Sequence, residues 1–242
     1  MSNDLQFRFS VPRIPEGEAV TFDEAEQRCL KQLHEKDGKC VQSLMNLAKI
    51  YSRAARHDEA IGCIERLIAL SDDPEEHGAH YLALGCFMEQ MRDFPGAVKY
   101  YRQALGMEPC QKDTWYFIHN NLGYSLNQLG QHDDAIPYLR HAIEIDPGRP
   151  NAYKNLGLAM EAKGQFTDAA ELFVAATQVD ASDARSLAHL ETLVSANPEL
   201  EMEVPDLPAR LKACREAVKV ARADQPDLAA LWARDRKKQK RK

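Results

Sequence analysis

Asparagines recur at a fixed interval in this chain of 242 residues, and their side chains suit the binding of another polypeptide. Asn121 opens the phrase NLGYSLNQLGQHDDA, and Asn155, 34 residues later, opens the phrase NLGLAMEAKGQFTDA. An asparagine amide offers one acceptor and two donors, so a row of them can pair with both the N–H and the C=O groups of an extended peptide. Lys154 precedes the second asparagine and adds a charged donor for a carboxylate. These residues indicate non-covalent recognition.

Motifs for catalysis are missing from the sequence. It contains no GxGxxG, GxxxxGK[ST] or GxSxG phrase, and its serines, cysteines and histidines form no local signature of a nucleophile with its base. The six cysteines are 11 or more residues apart and include no CxxC pair, which indicates neither a zinc site nor a disulfide framework. We therefore predict no catalytic residue, no metal and no cofactor.

Composition and charge place the chain among ordinary globular proteins. Hydrophobic residues make up 44% and charged residues 28%, and no apolar run is long enough to cross a membrane or to serve as an export signal. The expected location is the cytoplasm. Residues 208–242 hold 12 Lys and Arg against 4 Asp and Glu, a net charge of +8, whereas residues 1–207 carry −14.

The interval of 34 residues extends over four repeats, each of which predicts a pair of helices. Apolar residues follow helical spacing over two stretches of about 14 residues, joined by a turn such as GQHDDA. Gly123 and Gly157 are expected to face Ala135 and Ala169, so that the paired helices can approach closely. A single pair cannot cover its own apolar face, and the pairs must therefore stack. The predicted repeats are 41–74, 78–111, 116–149 and 150–183.

The residue types that recur within a repeat are similar to the pattern of a known family. The second repeat has Tyr81, Leu84, Gly85, Ala97, Tyr101, Ala104 and Pro109 at the characteristic positions, and the fourth has Tyr153, Leu156, Gly157, Ala169, Phe173 and Ala176. These residues resemble the tetratricopeptide repeat. The resemblance implies an all-α fold, a right-handed superhelical solenoid over residues 21–196, with a capping helix at 22–35 and another at 184–196.

In the family that this chain resembles, the first helices of successive repeats line a concave groove that receives a peptide or a helix. The groove positions are the second, fifth, sixth, ninth, twelfth and thirteenth of each repeat. An asparagine ladder at the sixth position holds ligand backbone in that family, and Lys, Arg and Asn clamp a terminal carboxylate in some members. The resemblance thus predicts a peptide-binding set of Asn46, Lys49, Arg53, Asn120, Asn121, Tyr124, Asn127, Asn151, Lys154, Asn155, Arg185 and His189.

Segments outside the repeats are predicted to differ from them in character. Residues 1–20 form an extended or disordered leader, residues 197–207 an acidic linker, and residues 208–242 a basic helical extension with a tail. The tail can fold back on the acidic body, contact nucleic acid phosphates or remain solvated. Its candidate nucleic-acid-binding residues are Arg236, Lys237, Lys238, Lys240, Arg241 and Lys242.

Two functions follow from these patterns. The preferred one is a non-catalytic scaffold or adaptor, similar to a co-chaperone, which binds a protein segment in the concave groove. The alternative is an RNA- or ribosome-associated factor that contacts phosphates through the basic C-terminal segment. The sequence leaves open whether the protein is a monomer or a homodimer.

Overall fold

The computed structural model describes residues 21–223, and every regular element in this range is a helix. The predicted all-α class is confirmed. The described residues divide into two compact units, one that ends at Leu70 and one that begins at Ser71, and each is described by itself below. Between residues 21 and 223, no helix combines the length and the apolar character that a bilayer span requires.

The first unit contains three helices: α1 (Phe22–Glu35), α2 (Val41–Arg53) and α3 (His57–Leu70). Helix α1 begins at a capping box, in which the Glu24 backbone N–H donates to the Thr21 hydroxyl and the Thr21 N–H donates to the Glu24 carboxylate. Helices α2 and α3 bury Leu44 and Leu67 between them. The Arg56 guanidinium, which precedes α3, forms an ion pair of 3.0 Å with Glu26 of α1.

The second unit contains nine helices in its described part. Three consecutive pairs pack as hairpins, and the first helices of neighbouring pairs, α4 with α6 and α6 with α8, also touch. Neighbouring pairs thus bury the apolar sides that one pair leaves open. The helices are α4 (Pro74–Gln90), α5 (Phe94–Gly106), α6 (Lys112–Gln128), α7 (His132–Ile145), α8 (Pro150–Ala162), α9 (Phe166–Val179), α10 (Arg185–Ala196), α11 (Leu200–Glu203) and α12 (Leu207–Ala223).

Local sequence determines where the helices of the second unit begin and turn. Asp73 caps α4 by accepting a hydrogen bond of 2.9 Å from the Glu75 N–H, and Asp93 caps α5 by accepting one of 3.0 Å from the Gly96 N–H. Gly130 and Gly164 lie in the turns that follow α6 and α8, with φ of 73° and 74°. This left-handed conformation favours glycine, which explains its recurrence there.

Glycines in the first helices allow the paired helices to approach closely. A Cβ atom on Gly123 would lie 2.5 Å from Cγ of Leu139 and 3.2 Å from the Ala135 carbonyl oxygen. A Cβ atom on Gly157 would lie 2.7 Å from Cε1 of the Phe173 ring. Each glycine thus faces the side chain that lies one helical turn beyond the expected alanine, because a long helical side chain reaches back toward the N-terminus of its helix.

The chain that follows α10 is folded onto the second unit. Residues 197–207, which the sequence predicts to be a linker, contain helix α11, and Leu200, Val204 and Leu207 are buried. Helix α12 packs on α9 and α10. The Arg210 guanidinium holds the Glu171 carboxylate of α9 through two hydrogen bonds, of 2.8 and 2.6 Å. The predicted leader at 1–20 and the part of the basic extension beyond residue 223 lie outside the described residues.

Candidate functional site

The predicted groove residues of the second unit lie on α6, α8 and α10, the first helices of their pairs. Because each first helix follows a complete hairpin, α4, α6 and α8 all run in the same direction. Side chains at equivalent repeat positions therefore occur side by side along this face, which we call the groove face.

Three of the predicted asparagines form a buried hydrogen-bonded chain on the groove face. Asn155 Nδ2 donates to Asn120 Oδ1 at 3.1 Å, and Asn120 Nδ2 donates to Asn121 Oδ1 at 2.9 Å. Asn121 Nδ2 in turn donates to Cys86 Sγ at 3.6 Å. All three asparagines are buried. Each amide thus helps to hold α8 on α6 or α6 on α4, and their role as peptide contacts stays a prediction.

The chain of amides ends at a buried polar group between α4, α5 and α6. The Tyr101 hydroxyl donates to Cys86 Sγ at 3.5 Å, and the Ser125 hydroxyl donates to Glu89 Oε1 at 2.8 Å. Burial raises the pKa of Glu89 to about 7, although hydrogen bonds from Ser125 and Tyr101 oppose this shift. Burial also raises the pKa of the Cys86 thiol to about 12, which keeps it protonated.

Lys154 provides the positive charge of the groove face. Its side chain is buried, with 7% of its surface exposed. The pKa of Lys154 is lowered to about 8, chiefly because burial disfavours the ammonium ion and secondly because Arg185 lies nearby, while Asp183 acts in the opposite direction. Among residues 21–223, no carboxylate forms an ion pair with Lys154 within 4.0 Å.

Arg185 and His189 of α10 surround this lysine. Arg185 Nε and Nη2 donate to the two oxygens of Asp183, each at 2.7 Å. Burial tends to raise the pKa of Asp183, but these hydrogen bonds outweigh it and the net shift is downward. His189 stacks on Phe173 with ring centroids 5.4 Å apart. Burial and the nearby Lys154 charge lower the pKa of His189, which favours the neutral imidazole.

The other predicted residues of the second unit lie on the same face with different environments. Asn127 donates from Nδ2 to the backbone oxygen of Asn155 at 2.9 Å. Tyr124 forms an edge-to-face contact with Phe94, with centroids 6.2 Å apart. Asn151 is half-buried in the first turn of α8. These residues give the groove face a polar and aromatic surface.

The first unit holds three predicted residues on α2. Asn46 accepts a hydrogen bond of 3.1 Å from Gln42 Nε2. Burial and the neighbouring Arg53 lower the pKa of Lys49, whereas the Arg53 side chain itself is exposed. Their role in peptide binding stays a prediction for this unit by itself. The candidate phosphate contacts from Arg236 to Lys242 lie outside the described residues.

The predicted peptide-binding set leaves out several charged residues of the groove face. Glu89 and Glu161 both occupy the twelfth position of a repeat, which is one of the groove positions, but they are not in that set. No feature of the sequence marked Asp183, because it lies in the turn before α10, outside the groove positions, and acts through Arg185. In the described part of the chain, no three His, Cys, Asp or Glu side chains are grouped so that they could hold a metal ion.

The stacked helical pairs define an all-α helical-repeat protein. Three models of the tetratricopeptide repeat match the chain, at residues 43–77, 89–150 and 126–199. The chain belongs to the tetratricopeptide repeat family.

Relatives share part of the sequence. The chain is 33% identical over 92 residues to the small glutamine-rich tetratricopeptide repeat-containing protein 2 of Mycosarcoma maydis, a match that covers 38% of this chain and 25% of that protein. It is 27% identical over 96 residues to the photosystem I assembly protein Ycf3 of Prochlorococcus marinus, covering 40% and 55%. The chain thus spans only a quarter to about half of these relatives.

Solved structures share the fold. The crystal structure of MamA superimposes with a TM-score of 0.57 at 27% identity, covering 68% of this chain and 91% of MamA. YrrB, described as a tetratricopeptide repeat protein with an unusual peptide-binding site, superimposes with a TM-score of 0.55 at 19% identity, covering 87% and 99%.

Proposed function

We propose that the protein is a non-catalytic interaction scaffold, an adaptor similar to a co-chaperone, which binds a segment of a partner protein along the groove face of its second unit. The observation that carries this proposal is the Lys154 side chain, of which little is exposed although no carboxylate among residues 21–223 lies within 4.0 Å of its ammonium. A buried charge without a counter-ion destabilises a fold. A ligand that supplies an anion would provide this counter-ion and make the buried position of the Lys154 ammonium favourable.

A peptide carboxylate is the anion that best matches this environment. At neutral pH the group formed by Lys154, Asp183, Arg185 and a neutral His189 carries one net positive charge. The bidentate pair with Asp183 fixes the guanidinium of Arg185, a residue with 47% of its side chain exposed. A ligand carboxylate at Lys154 would accept a charge-assisted hydrogen bond in partly dehydrated surroundings.

The asparagine chain supports this site by positioning it. Asn155 is the neighbour of Lys154 in α8, and its amide is bonded to Asn120 of α6. The amides thereby keep α8 in register with α6 and α4. We propose that Tyr124, Asn127 and Asn151, together with Arg185, provide the remaining contacts to the partner segment.

The comparisons support a binding role without indicating the partner. The relative from Mycosarcoma maydis is named a tetratricopeptide repeat-containing protein, and YrrB is described as having a peptide-binding site. For the compartment we propose the cytoplasm, because all six cysteines are free thiols, as is usual for a reducing environment.

A peptide array tests the proposal. Full-length protein is incubated with an array of 12-residue peptides, each present with a free C-terminal carboxylate and with a C-terminal amide. We expect peptides with acidic side chains or a free terminus to be selected, and Lys154→Met to abolish that selection. Comparing the two forms of each peptide shows whether the carboxylate comes from a side chain or from the terminus.

The matched control is Lys163→Met. Lys163 lies at the end of the same helix but is exposed and paired with Asp133, so its removal is expected to leave selection unchanged. Selection of the same acidic peptides by Lys154→Met and by the wild type would refute the proposal.

A second candidate function is binding of RNA through the C-terminal extension. Lys212, Lys219 and Arg222 are exposed on α12 at intervals of seven and three residues, which places them on one side of the helix. Such a stripe attracts phosphate in a salt-dependent manner. We expect the triple Ala variant of these residues to bind a single-stranded RNA probe more weakly than wild type at low salt, with a smaller salt dependence.

A further inference from the structure

Two glutamates occupy the same repeat position on the groove face. Glu89 and Glu161 are both at the twelfth position, in the last turn of α4 and of α8 respectively. The corresponding residue of α6 is Asn127, whose amide is used in a bond to Asn155. Positions at the same height of parallel helices form one edge, which we call the acidic edge.

Glu89 lies among hydrogen-bond donors and aromatic rings. Ser125 donates to its Oε1, and Tyr101 also bonds its carboxylate. Tyr124 is close enough for the Glu89 charge to raise the tyrosine pKa, after the larger effect of burial. A carboxylate beside aromatic rings is a favourable environment for an ammonium or guanidinium group.

The acidic edge is electrostatically unfavourable in the isolated protein. The carbonyl end of a helix carries partial negative charge, so a carboxylate in the last turn is disfavoured. Burial raises the pKa of both Glu89 and Glu161, which shows that each loses solvation. Among residues 21–223, neither glutamate has a Lys, Arg or His partner within 4.0 Å.

The acidic edge runs opposite the cationic group at Lys154. Lys154 and Glu161 are seven residues apart on α8, which corresponds to about 10 Å along the helix axis. The groove face therefore has a positive edge toward the N-terminal ends of its helices and a negative edge toward their C-terminal ends. A ligand that lies between the edges meets both charges.

We propose that Glu89 and Glu161 bind basic side chains of the partner, so that the groove face is specific for a peptide segment with an acidic group on one flank and Lys or Arg on the other. This inference rests on the proposed function, because it assigns the chemistry of the same ligand. Charge complementarity is the reason to choose this occupant over a neutral segment.

The peptide array tests this inference when the selected sequences are compared between variants. We expect Glu89→Gln and Glu161→Gln each to reduce the enrichment of Lys and Arg among selected peptides by roughly threefold to tenfold, the effect of losing a partly dehydrated ion pair. Selection for acidic groups, which depends on Lys154, is expected to persist in both variants. Glu144→Gln, an exposed glutamate of α7, serves as the control and should change neither preference.

Each outcome of the array decides the inference. Acidic peptides selected without any basic preference, or a basic preference that survives both Gln substitutions, would overturn the inference and leave the proposed function standing. If wild type selects no peptide, the proposed function fails and the inference fails with it. If basic peptides are selected only after the Lys and Arg residues of 234–242 are replaced by Ser, the chain's own tail competes for the acidic edge. This outcome also overturns the inference, because the edge would then not bind a separate partner.

Discussion

Asn155 donates a hydrogen bond of 3.1 Å to Asn120, a residue 35 positions earlier in the chain. Both side chains are buried, and both were predicted from the family resemblance to contact a peptide. In the structure they bond to each other and join α8 to α6. These amides therefore support the helices that carry Lys154, and their role as peptide contacts stays a prediction.

The asparagine pair should contribute to stability. Replacing Asn120 or Asn155 by Ala leaves a buried amide without its partner, which we expect to lower the free energy of unfolding by about 1–3 kcal/mol. The double variant should show a coupling of roughly 0.5–1.5 kcal/mol in urea unfolding. Gln128→Ala, an exposed position of the same face, is the control and should have almost no effect. Additive single effects would mean that the hydrogen bond contributes nothing of its own.

Lys154→Met should make the protein more stable while it weakens binding. The substitution removes a buried unpaired charge and keeps the length of the side chain, so we expect a gain of about 1–3 kcal/mol at pH 7 in chemical denaturation. A loss of stability would show that the ammonium already has a stabilising partner in the free protein.

The Lys154 ammonium should also leave a signature in the pH dependence of stability. Its pKa is about 8 in the folded protein and near 10.5 when unfolded. Between these values the unfolded state binds more protons, so stability should rise as the pH increases from about 8 to 10.5. Unfolding measured across this range should show the rise in wild type and a smaller one in Lys154→Met.

The raised pKa of Glu89 should make stability depend on pH with the opposite sign. Burial raises its pKa from 4.5 to about 7, so the folded state binds more protons between these values. Its contribution is therefore fully present below pH 4.5 and is lost as the pH rises through 7. Glu89→Gln keeps an acceptor for Ser125 without the charge, and we expect it to be more stable than wild type at pH 8 by on the order of 1–2 kcal/mol. Equal stability of the two proteins at pH 5 and at pH 8 would contradict the assignment.

Gly157→Ala tests the close packing of α8 on α9. The new Cβ would lie 2.7 Å from the fully buried Phe173 ring, and we expect a loss of about 1–3 kcal/mol from overpacking. Gly62→Ala in α3 is the matched control, because no atom lies within 4 Å of its added Cβ. This control should gain roughly 0.5–1 kcal/mol from better helix propensity. Thermal unfolding followed by circular dichroism measures both changes.

The all-α fold could be predicted from sequence because it depends on local and periodic information. Apolar spacing, the caps at Asp73 and Asp93, and the glycines at 130 and 164 each act within a few residues of their own position. Stacking follows from the same repetition, since every pair exposes the same apolar sides.

The internal bonding of the groove face could not be predicted in the same way. Which atom an amide such as Asn120 bonds depends on the rotation and spacing of α6 and α8, and these vary with the packing residues of both helices. The electrostatic environment of Lys154 also depends on Asp183, at the end of its own repeat, and on Arg185 of α10, beyond that repeat. The segment at 197–207 was expected to be a linker because of its acidic and proline residues, although its Leu200, Val204 and Leu207 are buried.

The most direct test of the account is the affinity of the full-length protein for one acidic 12-residue peptide chosen from the array. Isothermal titration at constant ionic strength would compare wild type, Lys154→Met and Lys163→Met. We expect Lys154→Met to bind at least about tenfold more weakly, with its fold intact, and Lys163→Met to bind like wild type. Equal affinities for all three proteins would contradict the claim that the buried lysine exists to receive an anion from a partner.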